Sequence, residues 1–331
     1  MNATLQAKCD LFAENIRTFK DAFAWDSSMI SVACSALYTT RGVPADGSYL
    51  KECARLLRKR ECIFSEFRGH TKPLVATRMS LSGAPEAYLD DLRYVYKILR
   101  RGKFFGSEMY VLAASTILDH SDASGAEAAC ERAREILNRM RREHPWLTSE
   151  SDMPFAAMLS VLDVPVDVLI DDMEACYQLL RPKFHRGEAL QSLSHVLSVS
   201  DLPPEEKCGR VVSLFDTLNE MKHRYSRGYE LAPLGALVML DLPPEEIAYE
   251  IAEADTYLKG ARGCGNLLMG ADIRRMYSAM LVMNEHMPEH DLTEDARISS
   301  VIATVIAMEV CMIIACSTST SAATSASSSS H

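Results

Sequence analysis

The chain is short of the residues that make turns. Gly occurs 15 times and Pro 13 times in 331 residues. An all-β fold needs many more turn-formers, so that class is disfavoured. Met is frequent, at 17, and the balance leans to helix. Among ten Cys there is no C-x-x-C, so neither a zinc site nor a disulfide framework is indicated. Most of these Cys lie inside apolar helical patterns and read as reduced core thiols of a cytosolic protein. No HExxH, Walker A or G-x-S-x-G occurs, which leaves metalloprotease, phosphate-loop and hydrolase-elbow chemistry without a motif. Positive charge is in deficit, with a net charge of −10. Such a chain repels nucleic acid as a whole, so no nucleic-acid partner is expected. The opening stretch "MNATLQAKCDLFAENIRTFK" lacks the apolar core of a signal peptide, and a cytoplasmic location is expected.

What is present is a repeat. "DLPPEE" begins at Asp201 and again at Asp241. Apolar residues follow each copy at helical spacing: Cys208, Val211, Phe215 and Leu218, then Ile247, Ile251, Ala254 and Leu258. Those offsets define amphipathic, core-facing helices. Pro204 and Pro244 suit a first turn, where no intrahelical N–H is needed. Looser copies begin at Gly83, Ser124 and Asp163. Each of these first helices ends in a loop with an aromatic residue. Trp25, Phe64, Phe105, Trp146, Phe184 and Tyr225 stand 39, 41, 41, 38 and 41 residues apart. The next step falls on Cys264, in "RGCGN". A shorter apolar helix follows each loop, as in "PLVATRMSL", "MYVLAASTIL" and "LQSLSHVLSV". The fold expected is all-α: an α-solenoid-like stack of about seven helical hairpins with a period of about 40 residues.

The repeat domain is expected to run over residues 1–297. Residues 298–316, "ISSVIATVIAMEVCMIIAC", are apolar for most of their length. They read as a helix closing the open end of the stack, with a tail anchor as the alternative. Glu309 inside the stretch and the missing basic flank speak against a membrane. Residues 317–331, rich in Ser, Thr and Ala, read as a disordered tail.

Charge follows the repeat. First helices begin acidic and end basic, which complements the helix macrodipole. Arg60, Arg101 and Arg142 are spaced by 41 residues, with Lys59, Arg100 and Arg141 beside them. Stacking puts them in register as a ridge suited to an acidic peptide or phosphate-bearing partner. Dipole complementation accounts for the same charges without a partner.

Other polar blocks have plain structural readings. Ser192, Ser194 and His195 cluster in one second helix. Adjacent Ser194 and His195 point about 100° apart, and only Ser192 and His195 share a face. With no elbow and no orienting acid, an inter-hairpin hydrogen-bonding role is the default. "REHPWLTSESD" reads as a loop with a helix cap, in which Thr148 or Ser149 caps and Glu150 or Asp152 supplies the carboxylate. The glycines at 260, 263, 265 and 270 before Arg274 and Arg275 allow an anion nest, or simply left-handed turns.

Several blocks taken together carry a resemblance. They are "IFSEFRG" with "GHTKPLVATRMSL", "FFGSEMYVLAA", "REHPWLTSESD", "LQSLSHVLSV", "YELAPLGAL" and "IRRMYSAMLV". As a set, from about residue 10 to the final small-residue helix, the chain resembles an uncharacterised bacterial family, domain of unknown function number four thousand and three. That family's pattern has a Gly-aromatic-Gly where this chain has Gly263-Cys264-Gly265, and a more polar final helix. The resemblance implies a cytosolic bacterial protein of one continuous architecture and assigns no activity.

The leading functional reading is a cytosolic interaction or scaffold protein for a protein or acidic peptide partner, not an enzyme. The alternative is an enzyme or small-ligand binder. Its site would draw on Arg68, Glu108, Asp152, Gln191, His195 and Arg274 from adjacent hairpins. A tail-anchored adaptor is the third reading. No metal and no cofactor are implied.

Overall fold

The computed structural model describes residues 1–286 except 25–27, 70, 104–105, 122–124, 186 and 267–268. The expectations for 298–316 and 317–331 therefore fall outside the described residues, as do Trp25 and Phe105. The described chain is all-α, with fourteen α-helices that alternate in character. They are α1 (Ala3–Ala22), α2 (Ser28–Thr40), α3 (Gly47–Arg60), α4 (Lys72–Leu81), α5 (Pro85–Leu99), α6 (Glu108–His120) and α7 (Gly125–Glu143). The others are α8 (Met153–Ser160), α9 (Val166–Phe184), α10 (Glu188–Leu197), α11 (Pro204–Glu220), α12 (Ala232–Leu237), α13 (Pro244–Gly260) and α14 (Ala271–Glu285).

Odd-numbered helices are long and amphipathic; even-numbered ones are shorter and buried almost all round. In α5, Leu89, Leu92, Val95, Tyr96 and Leu99 are buried on one face. In α6, every residue from 109 to 117 is buried. A helix without a solvated face must be enclosed by neighbours on every side. The even helices thus supply the core and the odd ones its jacket.

Local sequence explains the helix starts. Pro204 and Pro244 sit in the first turns of α11 and α13, each followed by two Glu at the positive end of the helix. Asp46 caps α3 by accepting from the backbone N–H groups of Ser48 (2.8 Å) and Tyr49 (3.2 Å).

The molecule divides into two compact units. One comprises residues 15–38 and 44–166 among those described. Within it α3 packs on α4, α5 on α6 and α7 on α8. Jacket helices neighbour jacket helices (α3 with α5, α5 with α7), and core helix α6 lies on α8. Arg132 of α7 reaches the carbonyl of Val164, just after the second helix of its own hairpin.

The other unit comprises Met1–Glu14, Thr39–Val43 and the described residues from Asp167 onward. Here α10 packs on α12, α12 on α14, α11 on α13 and α13 on α14. Arg210 of α11 bonds the carbonyls of Leu240 (2.5 Å) and Leu242 (3.0 Å), repeating the role of Arg132 two hairpins on. Gly235 lets α12 approach α10 closely. A Cβ there would stand 3.0 Å from Val196 and 3.1 Å from Leu193.

In this second unit the start of α1 lies against the last described hairpin. Phe12 meets Tyr277 with ring centroids 5.3 Å apart. Lys8 bonds the carbonyl of Asn284 (2.6 Å) and pairs with Glu285 (3.1 Å). The face of α14 that needs a neighbour thus finds one in the first helix of the chain.

The C-terminus of α14 carries a pH-sensitive contact. His286 Nε2 lies 2.5 Å from Glu250 Oε2 on α13. That hydrogen bond raises the histidine's pKa above its ordinary 6.5, burial opposing it. A raised folded-state pKa contributes stability that is full below about pH 6.5 and lost as pH rises through the folded value. His286→Gln is therefore expected to lower the urea midpoint at pH 5.5 and to match the parent at pH 9. An equal deficit at both pH values would remove this linkage.

Candidate functional site

Of the six residues singled out for a small-ligand site, Arg68, Asp152 and Arg274 are held by side-chain hydrogen bonds. Arg68 closes the end of α3, its Nη1 donating to the carbonyls of Glu61 (3.0 Å) and Arg58 (3.4 Å). Glu108 follows the N-cap Ser107, and its carboxylate lies against Gly69, where a Cβ would come within 1.9 Å of Oε1. The adjoining loop mirrors this arrangement, with Glu66 against Gly106. At both glycines a carboxylate end occupies the place of a side chain, so a larger residue would have to displace it. Asp152 accepts from the N–H of Ser149 (2.8 Å), completing a capping box with that residue.

Gln191 and His195 are 2% exposed in α10. Ser194 Oγ donates to the carbonyl of Gln191 (2.8 Å), so its hydroxyl is held on its own helix. Arg274, also 2% exposed, donates from Nε to Asp255 (2.6 Å) and from Nη1 to Asn266 (2.5 Å). Gly263 and Gly270 have φ of 101° and 81°, the left-handed turns that glycine permits. Arg275 bonds the carbonyl of Arg224, so both arginines beside this loop turn to protein acceptors.

The basic ridge takes a different form. Arg60 Nη2 meets Asp90 at 2.5 Å, and Arg101 Nη1 meets Glu127 at 2.8 Å. Each arginine ends one jacket helix and pairs with the acidic start of the next. Lys103 adds a bond to Glu150 at 2.6 Å. All of these are exposed pairs, worth about 0–1 kcal/mol each, and they exchange readily for other partners. Arg142 is exposed.

Aromatic side chains stand among these charges. Trp146 is 96% exposed, Phe64 89% and Ile63 71%. Phe64 and Trp146 come from equivalent loops two repeats apart in one unit. Residues 58–68, 97–108 and 139–152 together carry eleven Lys and Arg against six Asp and Glu, on a chain of net charge −10. These three segments are thus rich in basic residues, with exposed apolar tips at Phe64 and Trp146. Exposed large apolar side chains grouped with Arg mark recognition surfaces. In the other unit the corresponding aromatics turn inward: Phe184 and Tyr225 are buried, with Phe184 edge-on to Phe215 at 5.0 Å.

The sequence reading used these aromatics as markers of period and missed their exposure. A signal was available. Phe64 and Trp146 lie outside the helical apolar pattern, each within six residues of two or more basic side chains.

Repeated hairpins of a jacket helix and a buried core helix, joined by loops of this kind, define an all-α helical-hairpin protein. More narrowly, the chain belongs to the family described as protein of unknown function DUF4003, whose model matches residues 15–311. It is similar to the Uncharacterized protein YeaA of Bacillus subtilis (strain 168), with 23% identity over 188 residues. That match covers 54% of this chain and 56% of the relative, so the chain spans about half the length of the curated relative it matches. No solved structure matches the chain.

Proposed function

We propose that the protein is a cytosolic interaction protein whose basic, aromatic-tipped loops receive an acidic segment of a protein partner. The observation that carries this reading is the near-complete exposure of Phe64 and Trp146 among basic helix ends in register. An aromatic ring held in water gains little from folding and much from being covered. Lys and Arg around it steer an acidic partner and form charge-assisted bonds on arrival. No helix among the described residues is long and apolar enough to cross a membrane. That agrees with a docking role that does not need a bilayer span.

Phe64→Ala and Trp146→Ala are each expected to weaken partner binding by about 2 kcal/mol, roughly thirtyfold. Because both side chains are exposed, unfolding free energy is expected to change by less than about 0.5 kcal/mol. The test is quantitative affinity capture from a soluble extract with the parent, the double alanine variant and Arg142→Glu. A protein with an acidic segment, held by the parent and lost from both variants, supports the reading. Equal retention of every captured protein by parent and variants would sink it.

A further inference from the structure

A cavity of about 420 Å³ opens at the edge of α11 and α13, remote in sequence from the basic loops. Its walls are largely apolar, built from Met221, Ala252 and the rings of Tyr249 and Tyr257, and His223 also lines it. That volume lies within the range of small-molecule sites.

His223 is held there by an unusual turn. At the end of α11 the N–H of His223 bonds the carbonyl of Leu218 (2.9 Å), and the N–H of Lys222 bonds that of Asn219 (3.1 Å). This is a Schellman end, whose left-handed position normally belongs to glycine. Here it is Lys222, with φ of 66°. A side chain in that conformation strains the backbone and persists where the surroundings over-determine it. The turn directs His223 both at Asp255 and at the cavity.

Asp255 fixes the imidazole. It is 3% exposed on α13 and accepts from Arg274 Nε (2.6 Å), while its other oxygen lies 2.9 Å from His223 Nδ1. In the tautomer with its hydrogen on Nδ1, the ring donates to this carboxylate oxygen. In the neutral ring, Nε2 is then an acceptor.

The other polar groups of the lining are engaged, Tyr249 excepted. The Thr256 hydroxyl donates to the carbonyl of Ala252 (2.8 Å), and the Tyr257 hydroxyl to Asp10 (2.7 Å). Glu253 pairs with the amine of Met1 (2.5 Å). The lining contains no Lys or Arg, and its one carboxylate is paired with the Met1 amine, so no unpaired charge is offered to a ligand.

We propose that this cavity binds a small apolar alcohol or phenol, whose hydroxyl donates to His223 Nε2. The apolar wall of this open hollow lies along the hydrocarbon body, and the Asp255-held imidazole selects the hydroxyl. The inference is independent of the partner surface on the other unit.

The probe is 2-naphthol, titrated against the full chain while the His223 ring resonances are followed by NMR. Controls are 2-methylnaphthalene, which lacks the donor, and 2-naphthoate, which adds a negative charge. Saturable binding of 2-naphthol that shifts His223, at least tenfold tighter than either control, supports the proposal. His223→Phe is expected to remove that tenfold preference. Ala252→Leu fills the cavity from its wall and leaves His223 and Asp255 in place. It is expected to abolish binding, and it decides the matter if His223→Phe does not fold. Equal affinity for 2-naphthol and 2-methylnaphthalene overturns the proposal. So does undiminished binding by a folded Ala252→Leu chain, or no saturable binding of 2-naphthol.

Discussion

Replacing Lys207 by Met is expected to lower the unfolding free energy by about 3–5 kcal/mol. Lys207 lies in the first turns of α11 with no exposed surface. Its ammonium donates to Asp172 Oδ2 of α9 (2.5 Å) and to the carbonyl of Ser200 (2.9 Å). Removing it leaves a largely buried carboxylate with only the weak Cys176 thiol as donor, and strips the Ser200 carbonyl of the ammonium. Asp172 is already uneasy: burial raises its pKa more than the attraction and hydrogen bond of Lys207 lower it. Desolvation therefore outweighs pairing even in the intact protein, as continuum arguments for buried ion pairs anticipate. It follows that the double change Lys207→Met with Asp172→Leu recovers most of the loss, since no stranded charge remains. Urea unfolding of the two single variants and the double variant, arranged as a thermodynamic cycle, measures this. A loss under about 1 kcal/mol for Lys207→Met would mean that water reaches Asp172 and the account is wrong.

Lys207 also marks the limit of what the sequence displays. "DLPPEEKC" announces a helix start in both copies, and the structure places Pro204 and Pro244 in the first turns of α11 and α13. Those features are local: a missing N–H, a helix dipole and an apolar stripe each act within a turn or two. The fate of Lys207 is not local. Position 207 reads as a solvated Lys after two Glu, and only the neighbouring hairpin's Asp172 draws it inside. The loop aromatics make the same point. Their spacing locates the loops, but a loop aromatic is buried only if the next loop leaves a slot. Phe184 finds Phe215, whereas Phe64 and Trp146 stand in solvent.

The candidate site residues were partly legible for a related reason. The caps of Ser107 and Ser149 could be anticipated because capping is a contact within three residues. His223 drew no notice, because its meaning rests on Asp255, 32 residues on, and on a strained turn at Lys222. Arg274 was noticed for its loop and proved to belong to the same buried group. The docking of Phe12 on Tyr277 joins residues over 260 positions apart and leaves no trace in a 40-residue period.

Arg274→Met is expected to cost about 3–5 kcal/mol, and Arg274→Lys about 2 kcal/mol or more. The side chain is buried and reaches two acceptors on two elements: Asp255 on α13 and Asn266 in the loop before α14. A planar guanidinium serves both from one fixed fork, with Nε and Nη1 diverging toward them. An ammonium on a Lys stem is a single point and serves one well. Methionine matches the volume but leaves the Asp255 carboxylate, 5% exposed at its side chain, with His223 and the more distant Arg275 at 3.5 Å. The damage then spreads to the cavity, because Asp255 no longer has two elements holding it against His223. Two measurements separate the parts of this argument. Chemical unfolding of the Met and Lys variants reports the stability loss. The His223 ring resonances of the folded Lys variant report whether the imidazole has left its carboxylate. If the Lys variant unfolds at the parent's urea midpoint, the bidentate geometry contributes nothing and Arg274 acts only as a nearby charge.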